Sequence, residues 1–269
     1  MLVISTSNPV VKRARGLRLR KNREREAAFL VEGIRAVWEA IEQGAPIERL
    51  LVAPDLLDSD SATSLVQSQE HAGLPSTHLG TAAFRSLSGR DHPTGLAAIV
   101  RTSFAALSDL VPAEDSIFVA LDRSSGPGNL GAIVRTADSV GAAGVVLVGE
   151  GADPYDPQAV RASMGSIFSV PLARIAELEE TLAWAASSGL QVVTTSAHAR
   201  VEHHSVRYRL PLLLVLGSEG RGLAQEDLAR GELSVRIPMR GSATSLNLAV
   251  AAGVLLYEIR RQEGGGMTS

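Results

Sequence analysis

Leu212-Leu-Leu-Val-Leu216 runs directly into Gly217-Ser-Glu-Gly-Arg-Gly222, and this junction decides how the chain is read. Five consecutive aliphatic residues show no alternation of apolar and polar positions, so the strand they form is covered on both faces. Such strands belong to parallel sheets flanked by helices. Three glycines beside a carboxylate expected to be buried, Glu219, then follow the strand. They mark its carboxyl end as a place where main chain can approach a ligand closely.

The same grammar extends upstream and downstream. Residues 117–121, 145–148 and 192–195 read as apolar strands, and 129–140, 178–186 and 245–260 as helices. Apolar strands alternating with helices predict an α/β domain with a parallel sheet. The first hundred residues are more mixed. Asn8-Pro9 opens a basic helix running to about Asn22, strands are expected at 28–31, 47–52, 77–79 and 95–100, and helices at 33–43 and near 61–71. These predict a smaller α/β domain. Residues 102–116 contain Pro112 and three acids without a strong period, and form the linker. The domains are therefore expected at 1–105 and 114–263, with 264–269 disordered.

The chain has no cysteine, which excludes disulfides, thiolate metal sites and a cysteine nucleophile and fits a reducing cytoplasm. Its histidines are scattered, and no metal is expected. No apolar run reaches the roughly 18 residues needed to cross a bilayer, and no apolar stretch follows the N-terminal basic residues as in a secretory signal. The net charge is −3, yet residues 1–25 carry eight basic side chains against one acid. Lys12, Arg13, Arg15, Arg18, Arg20 and Lys21 are the candidate contacts to RNA phosphates within that segment. A solvated basic helix face accounts for the same charges.

Gly126-Pro-Gly-Asn-Leu-Gly131 supports two readings. As G-x-G-x-x-G between strand and helix, with Glu150 about twenty residues on, it is the dinucleotide fingerprint of a nicotinamide-dependent oxidoreductase. Four residues separate the strand from Gly126, however, and Pro127 supplies no N–H to a phosphate. Read instead as N-x-G-x-x-x-R-T-A, the stretch offers Asn129 as a helix cap or a tie to a neighbouring loop, and Arg135 one and a half turns further on. A surface arginine whose stem packs on the sheet would explain Arg135 equally. The third stretch, Ile237-Pro-Met-Arg-Gly-Ser-Ala-Thr-Ser-Leu-Asn247, places Ser245 to cap the long helix and Asn247 in its first turn.

N-x-G-x-x-x-R, G-S-E-G-x-G and I-P-M-x-G-x-x-x-S-L-N, in that order over residues 116–260, resemble the SpoU/TrmH class of SPOUT methyltransferases. Arg161-Ala-Ser-Met-Gly-Ser-Ile-Phe-Ser-Val-Pro171 is similar to the family's middle segment. The S-x-x-N-P-x-V-K start and Phe29-Leu-Val-Glu-Gly33 resemble the substrate-binding domain that many members carry.

The resemblance implies a SPOUT domain with a deep trefoil knot behind an N-terminal RNA-binding domain, assembled as a homodimer. It implies an S-adenosylmethionine-dependent transfer of methyl to a ribose 2′-hydroxyl, in 23S rRNA rather than in tRNA because members with such an N-terminal domain commonly act on ribosomal RNA. The donor would lie among Thr195, Ser196 and Ala197, Leu216, Gly217 and Gly220, and Ile237, Met239 and Leu246. Arg135 would clamp a phosphate and the developing oxyanion, because a guanidinium stays protonated and makes a poor base. Asn129, Glu219, Ser245 and Asn247 would position it and the ribose. A binding module of the same fold without activity is the third reading; the intact motif positions speak against it.

Overall fold

The computed structural model describes residues 2–264; the disorder expected of 264–269 lies, from residue 265 on, outside the described residues. In chain order the elements are α1 (Pro9–Gly16), α2 (Arg20–Glu26), β1 (Ala28–Glu32), α3 (Ile34–Glu42), β2 (Ile47–Val52), α4 (Asp60–His71), β3 (Ser76–His78), α5 (Thr81–Leu87) and β4 (Leu96–Arg101). They continue with β5 (Ile117–Asp122), α6 (Pro127–Ser139), β6 (Gly144–Val148), α7 (Pro157–Ser163), β7 (Leu172–Ile175), α8 (Leu178–Ser187) and β8 (Gln191–Thr195). Last come β9 (Val201–Glu202), β10 (Leu212–Leu216), α9 (Gln225–Leu228), β11 (Leu233–Arg236) and α10 (Leu248–Gly264). Two units result: Met1–Thr102 with Asp153–Phe168, and Ser103–Ala152 with Ser169–Ser269. Residues 153–168, which the sequence reading assigned to the C-terminal domain, thus group with the first unit.

In the first unit four strands follow the order β1-β4-β2-β3, antiparallel except for the parallel β2–β3 pair. Val11, Ala14 and Leu17 join Leu30, Leu51, Phe84 and Ile99 in its core. The basic helix expected over 8–22 is broken in two. Asn8 caps α1 by accepting the Val10 N–H at 2.9 Å, and Pro9 sits in the first turn. Val11, Ala14 and Leu17 follow one another at three-residue spacing on the buried face, and the chain leaves the helix after Gly16. Arg23 of α2 is also buried, and its donors are satisfied. Nε lies 2.7 Å from Asp153 and Nη2 3.3 Å from Asp156, while Nη1 donates to the carbonyls of Leu17 and Arg18. A charge so buried is tolerable only when fully paired. Phe29 packs on Tyr155 with ring centroids 4.4 Å apart, so residues 153–168 are held by both charge and aromatic contact.

The second unit is a seven-stranded sheet, β7-β6-β5-β10-β8-β11-β9, in which every pair is parallel. All five residues of β10 are buried, as their unbroken apolar run requires; each contributes about 1.5–3 kcal/mol by leaving water. Leu178, Leu182 and Ala185 of α8 pack with Phe118, Val146 and Leu213, and Trp184 meets Phe118 edge-on at 5.0 Å. Helices α6 and α10 pack together. Arg260 fastens them by donating to the carbonyls of Val140 and Gly141, where α6 leaves its last acceptors unpaired. Strands β7 and β11 were not anticipated, because Leu-Ala-Arg-Ile and Leu-Ser-Val-Arg are short and partly polar. They form on the ladders offered by β6 and β8.

Strand order reverses between β5 and β10. From β5 the chain steps outward through β6 and β7, whereas β10, β8, β11 and β9 lie on the other side. In an open parallel sheet the crevice at such a reversal, beyond the carboxyl ends of the strands, is where ligands bind.

Candidate active site

Three loops meet at that reversal: the one after β5, the one after β10, and the one joining β11 to α10. Helix α6 begins at Pro127, with Gly126 as its unassisted N-cap residue. Asn129 is therefore the third helical residue and does not cap the helix, and its amide reaches sideways. Nδ2 donates to Glu219 Oε1 at 3.1 Å, and Oδ1 accepts from Asn247 Nδ2 at 2.9 Å. Asn247 Oδ1 in turn accepts the N–H groups of Ala249 and Val250 at 2.9 and 3.3 Å. The cap of the long helix is thus Asn247 rather than Ser245, and the helix starts at Leu248. Asparagine caps as well as serine, and at 247 its second polar atom also finds a partner.

Glu219 closes the network. It accepts the Ser125 N–H at 3.0 Å and the Ser124 hydroxyl at 3.2 Å, besides the Asn129 amide. The side chain was expected to be buried; it is exposed, and only its oxygens are held. Partial burial pushes the carboxyl up, but the hydrogen bonds from Ser125, Asn129, its own N–H and Ser124 outweigh this and hold it at about 2. The nearby N-terminus of α6 favours the same anion. Ser124, Ser125 and Asn129, at the start of α6, therefore hold an internal carboxylate where the dinucleotide reading placed a pyrophosphate. Ser124 and Ser125 were missed by the sequence reading, since two serines before a glycine carry no signal beyond a turn. Asp122, at the end of β5, was missed too: burial raises its carboxyl, partly offset by Arg123 at 3.1 Å.

The residues proposed for a donor stand on the same edge, because β10, β8 and β11 are parallel neighbours that end together. Leu216 and Gly217 are buried, Thr195, Ser196, Ile237 and Leu246 half-buried, and Ala197, Gly220 and Met239 exposed. The Thr195 hydroxyl donates to the Val215 carbonyl at 3.0 Å, and the Ser196 N–H to that of Val235 at 3.1 Å. Gly217 is required by its own loop: a Cβ there would lie 2.3 Å from the Gly222 carbonyl carbon and 2.4 Å from the Leu223 nitrogen. Gly220 and Gly222 have φ of 90° and 68°, which disfavour any side chain. Among the described residues the main chain at Gly217, Ile237 and Leu246 makes no hydrogen bond, leaving donors and acceptors available beside apolar walls.

Arg135 lies exposed on α6 and makes no side-chain hydrogen bond or ion pair among the described residues; neither does Ser245, also exposed. The structure therefore joins Asn129, Glu219 and Asn247 and leaves Arg135 and Ser245 outside that network. In the first unit Arg13 is committed to Glu26 and Glu48, both at 2.8 Å, and Arg20 pairs with Glu24. Arg18 donates to the Ser88 carbonyl, while Lys12, Arg15 and Lys21 stand exposed. Among the described residues no group of three or more histidine, aspartate or glutamate side chains could hold a metal ion, and no helix is long and apolar enough to cross a membrane.

A parallel sheet whose reversal point gathers these three motifs defines a SPOUT-type RNA methyltransferase. The chain belongs to the SpoU rRNA methylase family, which it matches over residues 116–257; residues 8–98 match the MRM3-like substrate binding domain. It is 35% identical over 260 residues to the 23S rRNA (uridine(2479)-2′-O)-methyltransferase of Streptomyces viridochromogenes, covering 93% of this chain and 88% of that protein. It is 28% identical over 256 residues to the 23S rRNA (guanosine(2553)-2′-O)-methyltransferase RlmP of Bacillus subtilis, covering 95% and 98%. The crystal structure of AdoMet-bound rRNA methyltransferase from Sinorhizobium meliloti superposes with a TM-score of 0.89 at 35% identity, covering 100% of this chain and 99% of that one. Its activity is accordingly S-adenosylmethionine-dependent 2′-O-methylation of RNA ribose.

Proposed function

We propose that this enzyme methylates one ribose of 23S rRNA in the cytoplasm, working as a homodimer. The hydrogen-bonded chain Asn247–Asn129–Glu219 carries the reading, because it ties the three motif loops together at the reversal point of the sheet. S-adenosylmethionine supplies a methyl already activated on a sulfonium, so the protein has only to orient the hydroxyl and manage its proton. The main chain at Gly217, Ile237 and Leu246 would hold its adenosine, with Leu216, Met239 and the backbone around Thr195, Ser196, Ala197 and Gly220 as walls. Glu219 is not the base: a carboxyl at about 2, already accepting several hydrogen bonds, has little affinity for a proton near neutrality. Its role, with Asn129 and Asn247, is to fix the loops against one another. Arg135, free of internal partners, would clamp the phosphate beside the target ribose and stabilise the developing oxyanion, and Ser245 would contact the ribose. Lys12, Arg15 and Lys21 would add phosphate contacts from the first unit.

Two features support the finer points. Strand β10 is inserted between β5 and β8, and the chain then crosses to the far side of β8 to make β11, as a trefoil-knotted path does. Val250, Val254 and Tyr257 form an exposed apolar stripe on α10, suited to a second copy.

Ribosomal RNA from cells lacking the gene, incubated with enzyme and labelled donor and then mapped for ribose methylation, should acquire one 2′-O-methyl in 23S rRNA. Methyl transfer confined to tRNA would overturn the target; methyl on a base would overturn the chemistry.

A further inference from the structure

The arginines of the catalytic unit differ in how they are paired; besides Arg135, already placed at the site, Arg207 is also exposed without an ion pair among the described residues, and Arg174 lies over the Phe104 ring. Arg123, Arg209, Arg230, Arg236, Arg260 and Arg261 each pair with a carboxylate at 2.6–3.2 Å. Arg200, Arg221 and Arg240 are exposed and make no side-chain hydrogen bond or ion pair among the described residues. These three stand in the loops that follow β8, β10 and β11, which are neighbouring parallel strands. Arg200 stands where its loop enters β9, the outer strand beyond β11, so at about 4.8 Å per strand the three positions spread over about 14 Å of one edge of the sheet.

The local charge is one-sided. Residues 196–200, 217–222 and 237–247 contain three arginines and one carboxylate, Glu219, whose oxygens are already engaged by Ser124, Ser125 and Asn129. The next acids along the chain are engaged elsewhere: Glu202 pairs with Arg236 and His204, and Glu226 and Asp227 act on Arg230, which also pairs with Glu179. In a chain of net charge −3, where acids are plentiful, three arginines on one edge have been left uncompensated.

We infer that Arg200, Arg221 and Arg240 form a collar that grips the RNA sugar-phosphate backbone around the target nucleotide. This rests on the 2′-O-methyltransferase reading and deepens it, by placing substrate affinity on the catalytic edge itself rather than only on the basic N-terminal segment. Unpaired guanidinium groups suit phosphate, which they meet with two parallel hydrogen bonds. No acid has to be displaced for them to do so. The collar reads backbone and carries no base specificity.

The test is Arg200→Gln/Arg221→Gln/Arg240→Gln in the full-length protein, titrated with 23S rRNA from cells lacking the gene at several salt concentrations. Removing one phosphate-binding cation lowers the salt slope by about 0.7 on single-stranded RNA, so the slope of the triple variant should be smaller by about 2. Donor affinity should stay within about twofold of the parent, and lysine at the three positions should restore most of the slope. An unchanged slope, or donor affinity falling in parallel with RNA affinity, would overturn the collar. Single variants at Arg221 and Arg240 give the same comparison should the triple variant fold poorly. If the parent protein transfers methyl to no ribose at all, the enzymatic reading fails instead; methyl transfer by the parent with an unchanged slope in the variants rejects the collar alone.

Discussion

Replacing Glu219 by glutamine tests the network at its charged end. The folded carboxyl sits at about 2 against an ordinary 4.5, because donors from Ser125, Asn129 and Ser124 outweigh the cost of partial burial. A value lowered by folding stabilises the native state above the unfolded value and is lost as pH falls through the folded one. Here the window runs from about 4.5 down to about 2. The full difference has a ceiling of roughly 3 kcal/mol, and the exposure of the side chain cuts this to about 1–2 kcal/mol through solvent screening. Glutamine keeps the shape but turns an N–H₂ toward one of the donors that Glu219 now accepts. Glu219→Gln should therefore cost about 1–2 kcal/mol at pH 7, and the gap should close as pH approaches 2. Urea unfolding followed by Trp184, in a Trp38→Phe background, reports the catalytic unit alone, since the two tryptophans lie in different units. A gap of constant size from pH 7 to pH 2.5 would refute the electrostatic argument. Turnover should fall at least tenfold at pH 7, because the loop after β10 loses its tie to α6.

Asn247→Asp should keep the cap of α10 but lose the Nδ2 bond to Asn129, whereas Asn247→Ala should lose both and cost about 1 kcal/mol more in thermal or urea unfolding. Equal stabilities for the two variants would deny the cap. Gly217→Ala should cripple donor binding by isothermal titration and lower thermal stability, because its Cβ would meet the Gly222–Leu223 main chain at 2.3–2.4 Å; normal affinity would show that the loop can yield. Arg135→Ala should leave donor affinity intact and reduce turnover on saturating RNA by about 10², a split that a purely structural arginine would not produce. Val254→Glu should shift sedimentation toward a monomer, and an unchanged profile would remove the α10 stripe from the interface.

What could be read from the sequence depended on how local the determining contacts are. Leu212–Leu216 declares a buried parallel strand by itself, whereas Leu233–Arg236 becomes a strand only because β8 is beside it. Asn129, Glu219 and Asn247 stood out as residues, through their glycine-rich or helix-opening surroundings. Their pairing did not, since Asn129 lies 90 residues from Glu219 and 118 from Asn247. The same limit produced the misplaced caps: Ser245 and Asn247 are equally good candidates locally, and only the distant Asn129 distinguishes them. The basic N-terminus illustrates it again. Its charge is evident, but apart from Glu26 the carboxylate partners of Arg13 and Arg23, namely Glu48, Asp153 and Asp156, come from far along the chain. Residues 153–168 show no periodicity that would assign them to either unit; the buried Arg23 pair does so.

Asn247 uses one side chain for two purposes, and this links the helix to the chemistry. Its carbonyl oxygen starts α10, and its amide nitrogen holds Asn129, which holds Glu219. Fraying of the first turn of α10 would therefore release the loop after β10 as well as the helix. Helix starts are intrinsically weak, because their first N–H groups lack partners within the helix. In the proposed homodimer a second copy covering Val250 and Val254 would press on that same first part of α10. Assembly would then order Asn247, and through it the catalytic edge, without any partner residue having to touch Glu219. Activity should accordingly fall with dimer dissociation even when every motif residue is present.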